Sequence, residues 1–233
     1  MKILVVDQCS NSKSIPDSSV CFSAAEIDAE SLDELRARDG AVSVPARKLY
    51  AGRQQRYVGE AVDSLRAGGH SVERYFISAG FGIVSESEEL PPYDVSFAEM
   101  SDSERADRAE KLGLNDRIRE LVSEEAFDVV FFPLGSAYCT AVNLPDVLSE
   151  LPAKSIGVTF NQEEIVDEYE NVISIPARIE EAKAQETIVV ALKGVYLKNF
   201  AANVARGVSI DTPEDIAVAC LEPPTSQVDF DDF

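Results

Sequence analysis

Only one histidine, His70, occurs in the 233 residues, which removes most histidine-based metal and triad chemistry. The four cysteines, Cys9, Cys21, Cys139 and Cys220, form no Cys-x-x-Cys pair and show no zinc spacing. Reduced thiols and no bound metal are therefore expected. No phosphate loop of the Gly-x-x-x-x-Gly-Lys-Ser/Thr type occurs either, so that way of cradling phosphate is not available. No apolar run approaches the roughly 20 residues of a membrane span, and Met1-Lys2-Ile3-Leu4-Val5-Val6-Asp7 is too short for a signal peptide. The expectation is a cytoplasmic chain without a membrane partner.

Basic residues are scarce: 21 Lys and Arg face 42 Asp and Glu, a net charge of -21 with a sequence pI near 4.3. The acids are spread along the chain rather than gathered in a tail, which reads as a strongly solvated surface adapted to high salt. In molar salt the Debye length falls to about 3 Å, so a local basic groove can still grip phosphate and the net charge does not exclude nucleic acid.

What is present is a chain able to bury a full core, with 45% hydrophobic residues. The pattern is α/β, a mixed or mostly parallel sheet flanked by helices. Residues 1–222 read as a single domain with a helical insertion near 23–40, followed by an acidic tail at 223–233. Lys2 to Val6 is an apolar strand, residues 54–67 a helix closed by Gly68-Gly69, residues 101–123 an amphipathic helical region broken near Gly113, and residues 127–134 the clearest buried strand. Residues 155–160 and 171–175 are further strand candidates, and 187–192 fits either a strand or a helix. Lys193 opens the last substantial helix on this reading, while Thr212-Pro213-Glu214-Asp215 is a helix start.

Three apolar strands end in small polar residues, where the ligands of open α/β sheets are usually held. The first ends in Asp7-Gln8-Cys9-Ser10-Asn11-Ser12-Lys13, where Lys13 and the hydroxyls suit a phosphate or carboxylate. The second, Tyr75-Phe76-Ile77, runs into Ser78-Ala79-Gly80-Phe81-Gly82, and the third into Gly135-Ser136-Ala137-Tyr138. Gly80 and Gly82, each taken alone, also fit turns that need positive φ. Arg47, Lys48, Arg53 and Arg56 form the densest basic patch, interleaved with Tyr50 and Tyr57, and suit either phosphate and base stacking or ordinary salt bridging.

In order, Cys9-Ser10-x-x-Lys13, Leu49-Tyr50-x-Gly52, Ile77-Ser78-Ala79-Gly80-Phe81-Gly82, Pro92-Tyr93 and Gly135-Ser136-x-Tyr138 resemble the YaaA-type family and its uncharacterised relatives. Ala137 stands where that family has a glutamate, and Lys193-Gly194 with Lys198 only loosely echo its late Lys-x-Ala-Arg-Gly segment. The resemblance implies a YaaA-like α/β fold, a polar pocket, and for some members links to peroxide stress and DNA binding. On the joint reading, Cys9, Ser10, Lys13, Ser78, Tyr93 and Ser136 are the candidate catalytic groups. Tyr50, Arg53, Gly80, Gly82, Tyr138, Lys193 and Lys198 are the candidate substrate and anion contacts, and no cofactor is specified.

Gln227-Val228-Asp229-Phe230-Asp231-Asp232-Phe233 has the Gln-x-x-apolar-x-x-aromatic spacing of peptides that dock on sliding DNA clamps, with Gln227, Phe230 and Phe233 as anchors. An acidic disordered tail is the other reading of the same residues. Two functions follow: an enzyme or binder acting on a nucleobase, nucleotide or nucleic-acid end, or a non-catalytic DNA-associated stress protein recruited through its tail.

The charge itself makes a prediction. Self-repulsion from a net charge of -21 is screened by counterions, so the thermal midpoint should climb as potassium chloride is raised from low to molar concentration. A flat profile would remove the high-salt reading.

Overall fold

A computed structural model of the chain describes residues 1–11, 13–124 and 126–224. Strands β1 (Lys2–Gln8), β2 (Val44–Pro45), β3 (Ser71–Ser78), β4 (Gly82–Ser85), β5 (Glu89–Leu90), β6 (Val129–Phe131), β7 (Ile156–Phe160) and β8 (Val172–Ile175) are separated by helices, except that β3, β4 and β5 follow one another directly. Six of them form one sheet in the order β4-β3-β1-β6-β7-β8, and β2 pairs with β5 in a small separate ribbon. All neighbours in the large sheet are parallel except β3 and β4. The five parallel strands, numbered by appearance, run 2-1-3-4-5, one of the common doubly wound orders.

Near-continuous apolar strands demand cover on both faces, and both are covered. Leu4 and Val6 of β1 join Val130 of β6 in one core, beneath the helices on that side, to which Ile27, Leu35, Leu114, Ile118 and Val147 belong. Ile3 and Val5 face the opposite way, with Val129 and Phe131 of β6, onto the helices Arg53–Ala67, Val189–Ala205 and Pro213–Leu221. The helix Arg53–Ala67 buries Val58, Ala61, Val62 and Leu65, the i, i+3, i+4, i+7 stripe of an amphipathic helix. Its neighbour Val189–Ala205 comes so close that a Cβ on Gly194 would lie 2.9 Å from the Gln54 carbonyl oxygen and 2.7 Å from Tyr57 Cβ.

Several expectations are revised. The strand at 127–134 is shorter, Val129–Phe131, because Pro133 has no N–H to continue the ladder. Residues 187–192 are not a strand: the helix starts at Val189, one turn before Lys193, which therefore lies inside it. The insertion near 23–40 is two short helices, Ala24–Ala29 and Leu32–Ala37, whose Ile27 and Leu35 anchor in the core. Serine–glutamate capping boxes start both. Hydrogen bonds from Ser23, and then from Arg38, hold the Glu26 carboxyl down to about 2. Among the described residues no helix is long and apolar enough to cross a membrane.

One ion pair is sealed inside this sheet. Arg74 of β3 donates from Nη2 to Asp7 Oδ2 of β1 at 2.6 Å, and both side chains are essentially unexposed. Breaking one partner of a buried pair typically costs about 3–5 kcal/mol, because it leaves an uncompensated charge. Arg74→Leu should therefore lower stability to urea by about that much, and Asp7→Leu/Arg74→Leu should regain at least half of the loss. Equal loss in the single and double variants would mean that the charge pairing is not what holds this region.

Candidate functional site

The chain leaves β1, builds β3 on one side, then crosses to β6 on the other, so the loops after β1 and β6 part at their carboxyl ends. Such a switch point leaves a crevice in open α/β sheets. Here it holds a cleft with two lobes, of about 320 and 350 Å3, that share Gln8, Gln54 and Val190 in their walls. Leu134, Gly135, Ser136, Phe160, Asn161 and Lys193 complete most of the first lobe. Cys9, Ser10, Asn11, Gly52, Arg53 and Tyr138 belong to the second.

Two glutamines at the junction are locked in opposite senses. Gln8 Oε1 accepts the Gly135 N–H at 2.6 Å. Gln54 Nε2 donates to Asp7 Oδ1 at 3.1 Å and to the Pro133 carbonyl at 2.8 Å. Each amide's orientation is fixed by these partners, which leaves a donor, Gln8 Nε2, and an acceptor, Gln54 Oε1, without partners among the described residues. The Asp7 carboxylate also accepts the Gln8 backbone N–H at 2.8 Å, so the buried ion pair orients the Gln54 amide and anchors the strand end that carries Gln8, whose own amide is set by Gly135. Gln55 follows suit, donating to the Gln8 carbonyl at 3.0 Å while its own carbonyl accepts from Arg74.

Gly52 caps the helix Arg53–Ala67 without a side chain, and a Cβ there would meet Gln55 Oε1 and crowd Ser10. The bare helix start thus stays open to the second lobe, where its unsatisfied N–H groups and positive dipole end favour an anion. Arg53 is exposed beside it and forms no ion pair among the described residues. In the first lobe, Lys193 Nζ donates to the Leu134 carbonyl. Burial pushes its amine below the ordinary lysine range, and the nearby Cys139 and Asp7 only partly offset this. Burial likewise raises the Cys139 thiol to about 11, with Lys193 opposing.

Cys9, Ser10, Arg53, Ser136, Tyr138 and Lys193 meet in the cleft. Cys9 Sγ and Tyr138 Oη lie 3.1 Å apart, and the Tyr138 hydroxyl also reaches the Cys9 carbonyl. Tyr50, Ser78 and Tyr93, by contrast, are sealed in the core: Tyr93 Oη lies 2.9 Å from Tyr50 Oη and 2.8 Å from Ser78 Oγ. Burial first, and then the neighbouring Cys9, raises both phenols. Lys13 crosses the Tyr93 ring at 4.4 Å and reaches the Val95 carbonyl rather than the cleft.

The remaining sequence candidates lie elsewhere. Gly80 packs edge-on against the Tyr93 ring, and Gly82, at φ +79, turns the chain back into β4. The Ser78–Gly82 turn therefore closes an antiparallel hairpin instead of opening a ligand crevice, and the Ser78 hydroxyl accepts the Phe81 N–H within it. Lys198 pairs with Glu60 at 2.6 Å on the surface between two helices. Gln227, Phe230 and Phe233 lie outside the described residues. Sequence reasoning missed Asp7, Gln8, Gln54, Gln55 and Asn161. The available signal was a charge of each sign, Asp7 and Arg74, placed inside two apolar strands.

Fold and cleft together define a doubly wound α/β protein with a polar switch-point crevice. Residues 36–163, more than half of the chain, match a family described as a family of unknown function (DUF6884), and the chain belongs to it. No curated protein and no solved structure matches. The matched segment supplies Gln54, Gly135, Ser136 and Asn161, while Gln8, Cys9 and Lys193 lie outside it.

The burial of Tyr93 decides its role. Tyr93→Phe strands the Tyr50 hydroxyl in the core and leaves Ser78 Oγ with only its backbone N–H donors, so stability to urea should fall by about 1–3 kcal/mol, and the lining of the cleft should not change. Parent-like stability would show that this hydroxyl does not support the fold.

Proposed function

We propose that the cleft binds a nucleotide, with phosphate in the second lobe and the sugar and base in the first. The observation that carries this is the pair of oppositely locked glutamines where the lobes join. A fixed amide donor and a fixed amide acceptor complement a nucleobase edge, which presents donors and acceptors side by side. Each lobe has a volume at the lower end of the range for small-ligand sites. The open helix start at Gly52 and the side chain of Arg53 suit the phosphate.

A YaaA-like role acting on a nucleobase, nucleotide or nucleic-acid end is compatible with this reading and remains part of the proposal. A DNA-associated role needs a continuous basic face. On the described surface Arg36, Arg38, Arg66, Arg119, Arg178 and Lys198 are each paired with a carboxylate, and the exposed Arg47, Lys48, Arg53 and Arg56, which form no ion pair among the described residues, make a local patch rather than a continuous face; this favours the small ligand over a duplex.

Titration calorimetry of the full chain with nucleoside monophosphates, matched nucleosides and inorganic phosphate at constant ionic strength tests the proposal. A monophosphate should bind more tightly than its nucleoside. Arg53→Ala, which breaks no ion pair, should weaken the monophosphate by about tenfold, or about 1.4 kcal/mol, with the nucleoside little affected. No heat from any nucleotide at millimolar concentration would overturn it.

A further inference from the structure

We propose that Lys193 acts as an amine nucleophile, forming an imine with the open-chain aldehyde of a phosphorylated sugar held in the cleft. This rests on reading the cleft as the ligand site and narrows its substrate class: such a sugar phosphate is what a nucleotide leaves when its base departs.

The placement of Lys193 differs from that of every other lysine. Lys2, Lys111, Lys183 and Lys198 pair with carboxylates, and Lys13 lies over the Tyr93 ring. Lys48 and Lys154 are exposed. Lys193 is half-buried in a cavity wall with Phe160, Ala177 and Val190, its amine bonded to the Leu134 carbonyl, with no carboxylate in salt-bridge range among the described residues. The nearby Asp7 carboxylate is already taken by Arg74.

A desolvated ammonium with one carbonyl partner is a costly group to retain in a protein carrying 42 carboxylates that could have paired with it. The same surroundings favour the neutral amine, the form that attacks carbonyl carbon, and burial does lower its pKa. Its position is also enforced. Gly194, the next residue, lets the helix Val189–Ala205 touch the backbone of Gln54, so Lys193 is delivered to the lobe whose other wall is Gln54.

The step balances without a further reactant. The amine lone pair adds to the aldehyde carbon, the C=O π pair moves to oxygen, and one nitrogen proton passes to that oxygen to give a neutral carbinolamine. The restored nitrogen pair then expels the hydroxyl, which leaves as water with a proton that the nitrogen's loss of its second proton replaces. Amine and aldehyde thus become imine and water, with no change of oxidation state. Gln8 Nε2, the free donor on the same lobe, is available to the oxygen as charge builds on it.

The test is reductive trapping of the full chain with 2-deoxyribose 5-phosphate and cyanoborohydride near neutral pH, followed by peptide mapping. Saturable labelling of Lys193 should exceed that of Lys48 and Lys154 by roughly tenfold or more. Lys193→Arg, which keeps the charge but has no amine able to form an imine, should abolish the saturable adduct, with an unchanged circular dichroism spectrum showing that the variant is folded. Gly194→Ala should lower the Lys193 yield by displacing the helix. Labelling spread evenly over the exposed lysines would overturn the proposal. If nucleotides bind the parent chain and no Lys193 adduct forms, the imine falls and the nucleotide site stands; if neither is seen, both fall.

Discussion

The Asp7–Arg74 pair is where the sheet and the cleft meet. Taking two ions out of water costs several kcal/mol each, and their mutual attraction offsets this only when further hydrogen bonds satisfy them. Here Asp7 accepts from Arg74, from the Gln8 backbone and from Gln54, while Arg74 also donates to the Gln55 carbonyl. These partners sit on two neighbouring strands and the first turn of one helix. Gln54 extends the set to the Pro133 carbonyl beyond β6. A charge pair with no exposure of its own therefore fixes the Gln54 amide that the cleft presents, while the Gly135 N–H fixes the amide of Gln8.

The acidic surface and the cleft obey different electrostatics. Many surface carboxylates are occupied locally: they close capping boxes at Ser23, Ser31, Ser101 and Thr212, or pair with arginines such as Arg36 and Arg119. None of the residues lining the two lobes is acidic, and the lining includes Arg53 and Lys193. A neutral-to-cationic crevice in a chain of net charge -21 concentrates the favourable field for an anion in one place. Salt screens the long-range repulsion of an approaching anion more effectively than it screens contacts inside a concave site. High salt and anion binding are thus compatible in this molecule.

Much of this was legible in the sequence. The α/β class, the strand at β1, the helix ending at Gly68 and the break at Gly113 all follow from apolar periodicity and glycine placement. Cys9, Ser10, Ser136 and Tyr138 were found by the strand-end rule because β1 and β6 are both followed by crossovers. The same rule failed at Ser78–Gly82, since small residues after a strand suit a hairpin as well as a crevice, and the four-residue pairing with β4 chose the hairpin. The glutamines were not legible for another reason. Gln54 and Gln55 have no special place in a helix pattern, and their partners Asp7 and Gln8 lie 47 residues away. Only the fold brings an amide and the charge that orients it together.

The aromatic cluster behind the second lobe completes the site's rigidity. Tyr138 closes on Cys9, its ring meets Phe97 edge-on at 5.5 Å, and Tyr93 and Phe81 meet edge-on at 5.0 Å. Tyr50 joins through both Phe76 and Tyr93, so the hydroxyls of the two phenols and Ser78 satisfy one another without water. Buried polar groups satisfied in this way specify one packing of a core rather than several. The loop after β1 is pinned at both ends, by Tyr138 at Cys9 and by the contact of Lys13 with the Tyr93 ring and the Tyr50 backbone. A residue that scores as a site candidate by type, such as Tyr93, thus serves the site by holding its wall, while the residues that face a ligand are the ones the wall leaves with an open valence.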